Sequence, residues 1–198
     1  SAYVDTGVWS SKAIHEAKMI ASIEVIASSK DKNYSYIPKG FDISPDFEYL
    51  HTTSNNTIYG TQYQSWPDSS IPMVCDMSSD IFSKPIEPHR FGMIYAGAQK
   101  NLGPAGVTLV IVRKDMLGKI NKTLPTMLRY ETHIQNESMY NTPPVFPIYV
   151  SMLTLRWLKN LGGLGVMQQM NERKAKHVYD VIDSIPFYIG HSVPEERS

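Results

Sequence analysis

Two ionisable side chains each follow a short apolar run of the sequence. Asp76 comes directly after residues 71–75, and Lys100 comes shortly after residues 93–96. If both runs are neighbouring strands, the carboxylate and the amine meet at one edge of a sheet. An amine can attack a carbonyl carbon, and a carboxylate can keep a nearby ring nitrogen protonated. Taken singly the signals are weak, because a lysine after a strand is usually a surface charge and an aspartate there is usually a turn residue.

Pyridoxal phosphate (PLP) chemistry requires this combination of side chains. The lysine amine forms an imine with the aldehyde of the cofactor and then exchanges it for the amine of the substrate. The aspartate holds a proton on the pyridine nitrogen, so that the ring withdraws electrons from the carbanion formed when the α-proton leaves. The released lysine is also the natural base, since partial desolvation lowers the pKa of an amine. We therefore predict a PLP site that contains Asp76 and Lys100.

The elements that must position these residues are short strands separated by loops and helices. Apolar or β-branched runs predict strands at residues 3–5, 23–27, 49–53, 71–75, 93–96 and 107–112. Helical spacing of apolar residues predicts helices from 11 to about 21, from 147 to 160 and from 164 to about 182. Ser10 or Ser11 is expected to cap the first helix. The pattern indicates an α/β fold, with a mostly parallel sheet flanked by helices and ligands at the carboxyl ends of its strands.

Composition narrows the classes of partner. The 198 residues include 19 basic and 19 acidic ones, and this balance gives no electrostatic footprint for nucleic acid or an anionic membrane. No apolar stretch approaches the roughly 20 residues that a membrane span needs. The single cysteine, Cys75, excludes an intramolecular disulfide and fits a reducing compartment. We expect a cytoplasmic protein that acts on small molecules, with no metal site.

Five ordered segments carry a resemblance to a known family. They are residues 6–10, 54–60, 76–86, 91–106 and 139–144, and the stretch 95–106 surrounds Lys100. Together they closely resemble the phosphoserine aminotransferases, which are class-V, fold type I PLP enzymes. The similarity runs from about residue 3 to about residue 184. It implies the large domain of the aspartate-aminotransferase-like fold and identifies the sequence as a central fragment of such a protein.

The resemblance also assigns roles to single residues. Lys100 would bind PLP covalently, Asp76 would pair with its ring nitrogen, and Trp9 would stack on the ring face. The remaining cofactor-binding positions that it implies are Thr57, Gln99, Asn141 and Thr142. The last two would reach the PLP phosphate of the neighbouring subunit, so the implied unit is a homodimer with shared active sites.

The implied reaction is transamination in serine biosynthesis. L-Glutamate and 3-phosphohydroxypyruvate would give 2-oxoglutarate and O-phospho-L-serine, with the pyridoxine-pathway substrate left open. Residues 1–184 would form the PLP-binding large domain without its N-terminal part, and residues 185–198 would begin the link to a C-terminal small domain. Two alternatives stay open: another fold type I aminotransferase, or a truncated non-catalytic copy that only dimerises. A cysteine desulfurase is disfavoured because Gln99 stands where those enzymes usually have a histidine.

Overall fold

A computed structural model describes residues 1–120 and 123–198 of the chain. Its centre is a six-stranded sheet, accompanied by a small two-stranded one. The strands are β1 (Ala2–Asp5), β2 (Glu24–Ser28), β3 (Leu50–Thr53), β4 (Asn55–Asn56), β5 (Thr61–Gln62), β6 (Met73–Asp76), β7 (Phe91–Gly97) and β8 (Thr108–Val112). The helices are α1 (Val8–Ile20), α2 (Tyr130–Gln135), α3 (Val145–Asn160) and α4 (Leu164–Ser184).

The large sheet is parallel except at one edge. Its order is β2-β1-β3-β6-β7-β8, and only the β7–β8 pair is antiparallel. The predicted α/β class with a mostly parallel sheet is therefore confirmed. Because β1, β3, β6 and β7 run in the same direction, the residues that follow them emerge along one edge of the sheet.

Strand register fixes which side chains share a face with Asp76. Thr53 of β3 and Tyr95 of β7 are the register partners of Asp76 in β6. His51 lies two residues before Thr53 on the same strand, and Tyr3 of β1 is the partner of His51. Because side chains alternate between faces along a strand, all five lie on one face of the sheet.

The opposite face carries the apolar core. Its buried members come from four strands of the large sheet and from the segments next to them: Ala2, Val4, Leu50, Ile71, Met73, Cys75, Met77, Ile81, Phe91, Ile94, Ala96, Ala98 and Leu102. Every residue of β3 is buried, which is typical of a central parallel strand covered on both faces. Burying each large side chain of this kind stabilises the fold by about 1.5–3 kcal/mol.

The start of α1 differs from the prediction. The helix begins at Val8, with Gly7 in extended conformation at the N-cap, so the expected cap at Ser10 or Ser11 is wrong. Ser10 instead lies within the first turn, where its hydroxyl accepts the backbone N–H groups of Thr6 at 2.8 Å and Gly7 at 2.9 Å. The hydroxyl satisfies backbone donors from inside the helix rather than from its cap.

The last helix ends where the large domain was expected to end, at Ser184. The segment after it packs back on the same body, with Val193 N–H bonded to Ser35 O at 3.0 Å and Ser198 N–H to Gly60 O at 2.9 Å. The boundary between two domains at this point stays a prediction. None of the helices in residues 1–120 and 123–198 combines the length and the hydrophobicity that a membrane span requires.

Candidate active site

A small cavity of about 190 Å³ opens at the edge where the parallel strands end. Four of the seven site residues predicted from the sequence line it, and four further polar residues complete the wall. The lining residues are Trp9, Thr53, Asn55, Asp76, Ser78, Ser79, Gln99 and Lys100. Each ends a strand or follows one closely, as the rule for ligand sites in parallel sheets expects.

The carboxylate of Asp76 is oriented by its own turn. Its Oδ1 accepts the Ser78 backbone N–H at 2.9 Å and the Ser78 hydroxyl at 2.6 Å. The same hydroxyl accepts the backbone N–H of Gly97 at 3.0 Å, which joins the turn after β6 to the end of β7. Within residues 1–120 and 123–198, Oδ2 receives no hydrogen bond. One oxygen therefore fixes the carboxylate and the other remains available to a ligand.

Trp9 presents a flat aromatic face beside the amine of Lys100. The Lys100 Nζ lies 4.9 Å from the centre of the indole ring, and the indole Nε1–H donates to the Thr57 hydroxyl at 3.3 Å. Trp9 is 37% exposed and lines the cavity, so its indole is accessible to a planar ligand. Lys12 Nζ also lies 4.9 Å from this ring, but Lys12 does not line the cavity.

The Gln99 amide packs closely on Gly97 where it lines the cavity. A Cβ on Gly97 would lie 2.6 Å from Gln99 Oε1, so a side chain at this position would displace the flexible amide from its present place. The absence of a side chain at Gly97 thus favours the observed position of the amide next to Lys100.

Neutral polar groups pack on the sheet face that carries Asp76. His51 Nε2 and the Tyr95 hydroxyl share a hydrogen bond of 2.9 Å, and the Tyr3 ring stacks on His51 with centroids 4.7 Å apart. Burial lowers the pKa of His51 to about 4, although the charge of Asp76 acts in the opposite direction. Burial and the same charge raise the pKa of Tyr95. Both side chains are neutral near pH 7, so neither compensates the charge of Asp76.

A larger cavity of about 1070 Å³ also holds an aspartate, a lysine and a tryptophan. Its Asp80 accepts hydrogen bonds from Ser54 and Gln62, and its Lys84 amine donates to the Tyr63 carbonyl at 3.1 Å. Trp66 stacks on the ring of Tyr63. Asp80 and Lys84 are thus already hydrogen-bonded to neighbouring residues, and the Trp66 ring is stacked, whereas Oδ2 of Asp76 and the face of Trp9 are available to a ligand. The smaller cavity is therefore the better candidate.

Three predicted residues lie outside this cavity. Thr57 does not line the cavity, but its hydroxyl accepts a hydrogen bond from the indole N–H of Trp9, which does. Asn141 and Thr142 are exposed and line neither this cavity nor the larger one. Their proposed role in a neighbouring subunit stays a prediction. The lining residues that were not predicted as site residues are Thr53, Asn55, Ser78 and Ser79. The sequence feature that could have indicated them is their position, because each lies within three residues of the end of β3 or β6.

Comparison with known proteins identifies the family. The family model "Aminotransferase class-V" matches residues 2–198. The chain belongs to the class-V aminotransferase family. The phosphoserine aminotransferase of Flavobacterium psychrophilum is 57% identical over 198 residues, which are 100% of this chain and 56% of that protein.

Solved structures agree with this class-V aminotransferase assignment. The phosphoserine aminotransferase from Bacillus circulans subsp. alkalophilus superposes with a TM-score of 0.96 at 50% identity, covering 100% of this chain and 56% of that one. The PLP-bound phosphoserine aminotransferase from Trichomonas vaginalis gives a TM-score of 0.93 at 37% identity, with the same coverage of both chains. The chain thus spans 56% of these relatives, and it shares the fold of PLP-dependent aminotransferases.

Proposed function

We propose that this chain forms the PLP-binding part of a phosphoserine aminotransferase. The protein would transfer the amino group of L-glutamate to 3-phosphohydroxypyruvate, giving 2-oxoglutarate and O-phospho-L-serine. The observation that carries the proposal is that Trp9, Asp76 and Lys100 line one cavity at the carboxyl edge of a parallel sheet. A lysine amine can bind PLP covalently and a carboxylate can pair with its ring nitrogen, and an aromatic face can stack on the ring.

The residues of the cavity fit PLP. Asp76 is held through Oδ1, which leaves Oδ2 to accept a hydrogen bond from a protonated ring nitrogen. Trp9 offers an exposed indole face to an aromatic ring, and Lys100 offers an amine beside that face. Ser79, Asn55 and Gln99 add polar groups around the opening. Bound there, PLP would supply the electron-withdrawing ring that stabilises the carbanion of the amino-acid substrate.

Each side chain then has a separate task. Lys100 Nζ would hold the cofactor covalently and, once displaced by the substrate amine, would carry the α-proton. Asp76 would keep the ring nitrogen protonated, and its neutral neighbours His51 and Tyr95 leave its charge uncompensated on that face. Trp9 would orient the ring and shield one of its faces from water.

The choice of phosphoserine aminotransferase rests on the relatives. Proteins of that name match the whole of this chain at 50–57% identity. Gln99, which precedes the lysine and lines the cavity, is not the histidine that is usual in cysteine desulfurases. Another fold type I aminotransferase would use the same cavity with a different amino donor. A non-catalytic copy would not need to retain a cavity with Asp76 and Lys100 together.

Covalent trapping tests the proposal. In the protein that contains this sequence, borohydride reduction in the presence of PLP should fix the cofactor on Lys100, as located by peptide mapping. Lys12 is the matched control, because its amine lies at the same 4.9 Å from the Trp9 ring and yet does not line the cavity. A label on Lys12 or Lys84 instead of Lys100 would contradict the site. Among amino donors, L-glutamate should change the cofactor absorbance fastest; a preference for serine or cysteine would favour the alternative enzymes.

We further propose that the active unit is a homodimer whose partner contributes Asn141 and Thr142. Both are exposed, and the neighbouring helix α3 begins with the exposed apolar side chains Val145 and Phe146, which are 69% and 72% accessible. Apolar exposure of this kind is typical of a surface that another polypeptide covers. A cytoplasmic location and a domain boundary near residue 184 belong to the same proposal.

Subunit complementation tests the shared site. Inactive Lys100→Ala and inactive Asn141→Ala proteins, mixed and allowed to exchange subunits, should regain activity, because one of the two sites in each hybrid then has both residues intact. If Asn141 served its own subunit, every hybrid site would lack one residue and the mixture would stay inactive.

A further inference from the structure

Asp5, at the end of β1, is the centre of a hydroxyl cluster next to the candidate active site. Its Oδ1 accepts hydrogen bonds from Ser10 at 3.0 Å and Ser11 at 2.7 Å, both in α1. Its Oδ2 accepts from Tyr34 at 3.1 Å and Ser28 at 3.4 Å. Within the described parts of the chain, no lysine or arginine pairs with this carboxylate. Four neutral donors hold it, which makes it a geometric anchor rather than half of an ion pair.

Ser10 connects this anchor to the turn that carries Trp9. Its hydroxyl oxygen accepts the backbone N–H of Thr6 and that of Gly7, and its proton is shared between Asp5 Oδ1 and the Gly7 carbonyl. Ser10 is fully buried, so these bonds are shielded from water. Trp9 lies between Gly7 and Ser10 in the first turn of α1, and its direction therefore depends on how this turn is held.

The turn is constrained from its other side as well. The Thr6 hydroxyl donates to Asn56 Oδ1 at 3.2 Å, and a Cβ on Gly7 would lie only 3.0 Å from the same oxygen. The peptide between β1 and α1 thus fits between the Ser10–Asp5 pair and Asn56. Loss of the first contact leaves the turn supported on one side only.

We propose that Asp5, acting through Ser10, is a positioning residue that fixes the Trp9 indole over the cavity. Asp5 does not line the cavity itself, so it acts on a bound ring only through the placement of Trp9. For the cofactor, this inference rests on the proposed function; for the placement of the indole in the protein alone, it does not.

The test compares three variants of the protein that contains this sequence. Ser10→Ala and Asp5→Asn weaken the anchor on the α1 side. Ser28→Ala is the matched control, because it also removes one hydroxyl donor to Asp5 but does so from β2, at 3.4 Å and away from the turn. Two quantities are measured: the ¹⁵N–¹H resonance of the Trp9 indole without cofactor, assigned with Trp9→Phe, and the Kd of PLP from an absorbance titration.

Ser10→Ala and Asp5→Asn should shift the Trp9 indole resonance and raise the Kd of PLP about tenfold, whereas Ser28→Ala should leave both nearly unchanged. In a Trp9→Ala background, Ser10→Ala should raise the Kd less than twofold further, because residues that act through one another are not additive. If Ser10→Ala acted only through a general loss of stability, its effect on the Kd of PLP would instead multiply with that of Trp9→Ala. The proposal is overturned if they multiply, if the indole resonance does not move, or if Ser28→Ala behaves like Ser10→Ala. Wild-type protein that does not bind PLP, with the indole shifts as expected, would refute the proposed function and retain the anchor.

Discussion

The buried histidine beneath the candidate site makes the stability of the fold depend on pH in a calculable way. His51 is 4% exposed, stacks on Tyr3 and bonds to Tyr95 through Nε2, while its Nδ1 is buried without a hydrogen-bond partner among the described residues. Burial lowers its pKa from 6.5 to about 4. In the unfolded chain the ring takes up a proton below pH 6.5, whereas in the folded protein it stays neutral until about pH 4.

The sign and size of the effect follow from this difference. Because the unfolded state binds the proton first, acidification favours unfolding, and the contribution of His51 is lost as the pH falls from 6.5 to 4. One pKa unit corresponds to about 1.4 kcal/mol, so the total loss is about 3 kcal/mol. About 2 kcal/mol of it should be gone by pH 5. Asp80, whose pKa burial raises, acts in the opposite direction, so the effect of His51 must be isolated by substitution.

Urea unfolding at pH 7 and at pH 5 measures this contribution. His51→Gln should lower the free energy of unfolding at pH 7, because it removes the stacking, but it should also remove about 2 kcal/mol of the wild-type loss between the two pH values. His177→Gln, on the exposed surface of α4, is the control and should retain the wild-type dependence. If His51→Gln kept the same pH dependence as wild type, the neutral buried state of His51 would be refuted.

Three further predictions concern the cavity and the core. Lys100→Ala should abolish transamination with little change in the far-UV circular dichroism, whereas Lys12→Ala should stay active; wild-type turnover in Lys100→Ala would contradict the role of the amine. Asp76→Ala should lower kcat/KM by about 100- to 1000-fold, as expected for loss of one preorganised electrostatic partner, and a change below tenfold would count against it. Leu50→Ala, at a fully buried position, should lower the free energy of unfolding by about 2–5 kcal/mol, in contrast to less than 1 kcal/mol for Leu155→Ala on α3, which is 38% exposed.

The strands were predictable because their chemistry is local. Each predicted run corresponds to an observed strand within two residues at either end, and the helices at 147–160 and 164–182 correspond to α3 and α4. The direction of a strand could not be predicted from its own residues. The predicted strand at 107–112 corresponds to the antiparallel edge strand β8 (Thr108–Val112), although its sequence resembles that of the buried parallel strands. The start of α1 was predicted too late because serine is a common N-cap residue. Ser10 instead lies inside the helix, where its hydroxyl accepts hydrogen bonds from two backbone N–H groups.

The residues of the candidate site also fall into a group that could be predicted from the sequence and a group that could not. That Asp76 and Lys100 lie together at one edge of the sheet could be predicted, because each follows an apolar run and carries a functional group that PLP chemistry uses. Thr53 and Asn55 line the same cavity, but hydroxyl and amide side chains after a strand are common in turns. Only the parallel pairing of β3 with β6, which sets Thr53 beside Asp76, brings them to the cavity. That pairing joins segments more than 20 residues apart in the sequence, so no local sequence pattern predicts it.

The carboxylate of Asp76 and the amine of Lys100 are positioned in different ways, and each way suits the role proposed for the residue. Asp76 lies at the end of a strand that is paired on both sides, and a second bond from Ser78 fixes its carboxylate, as a constant electrostatic partner requires. Lys100 lies in a turn whose backbone is fixed around it: Gly103 N–H bonds to the Ala98 carbonyl at 2.8 Å, and Ala98 and Leu102 are buried on either side. Its own side chain is exposed, and its Nζ lies 4.9 Å from the centre of the Trp9 ring. A fixed turn with an exposed amine suits a lysine that must both bind a ring and carry a proton to and from the substrate, because the side chain can change position without any movement of the fold.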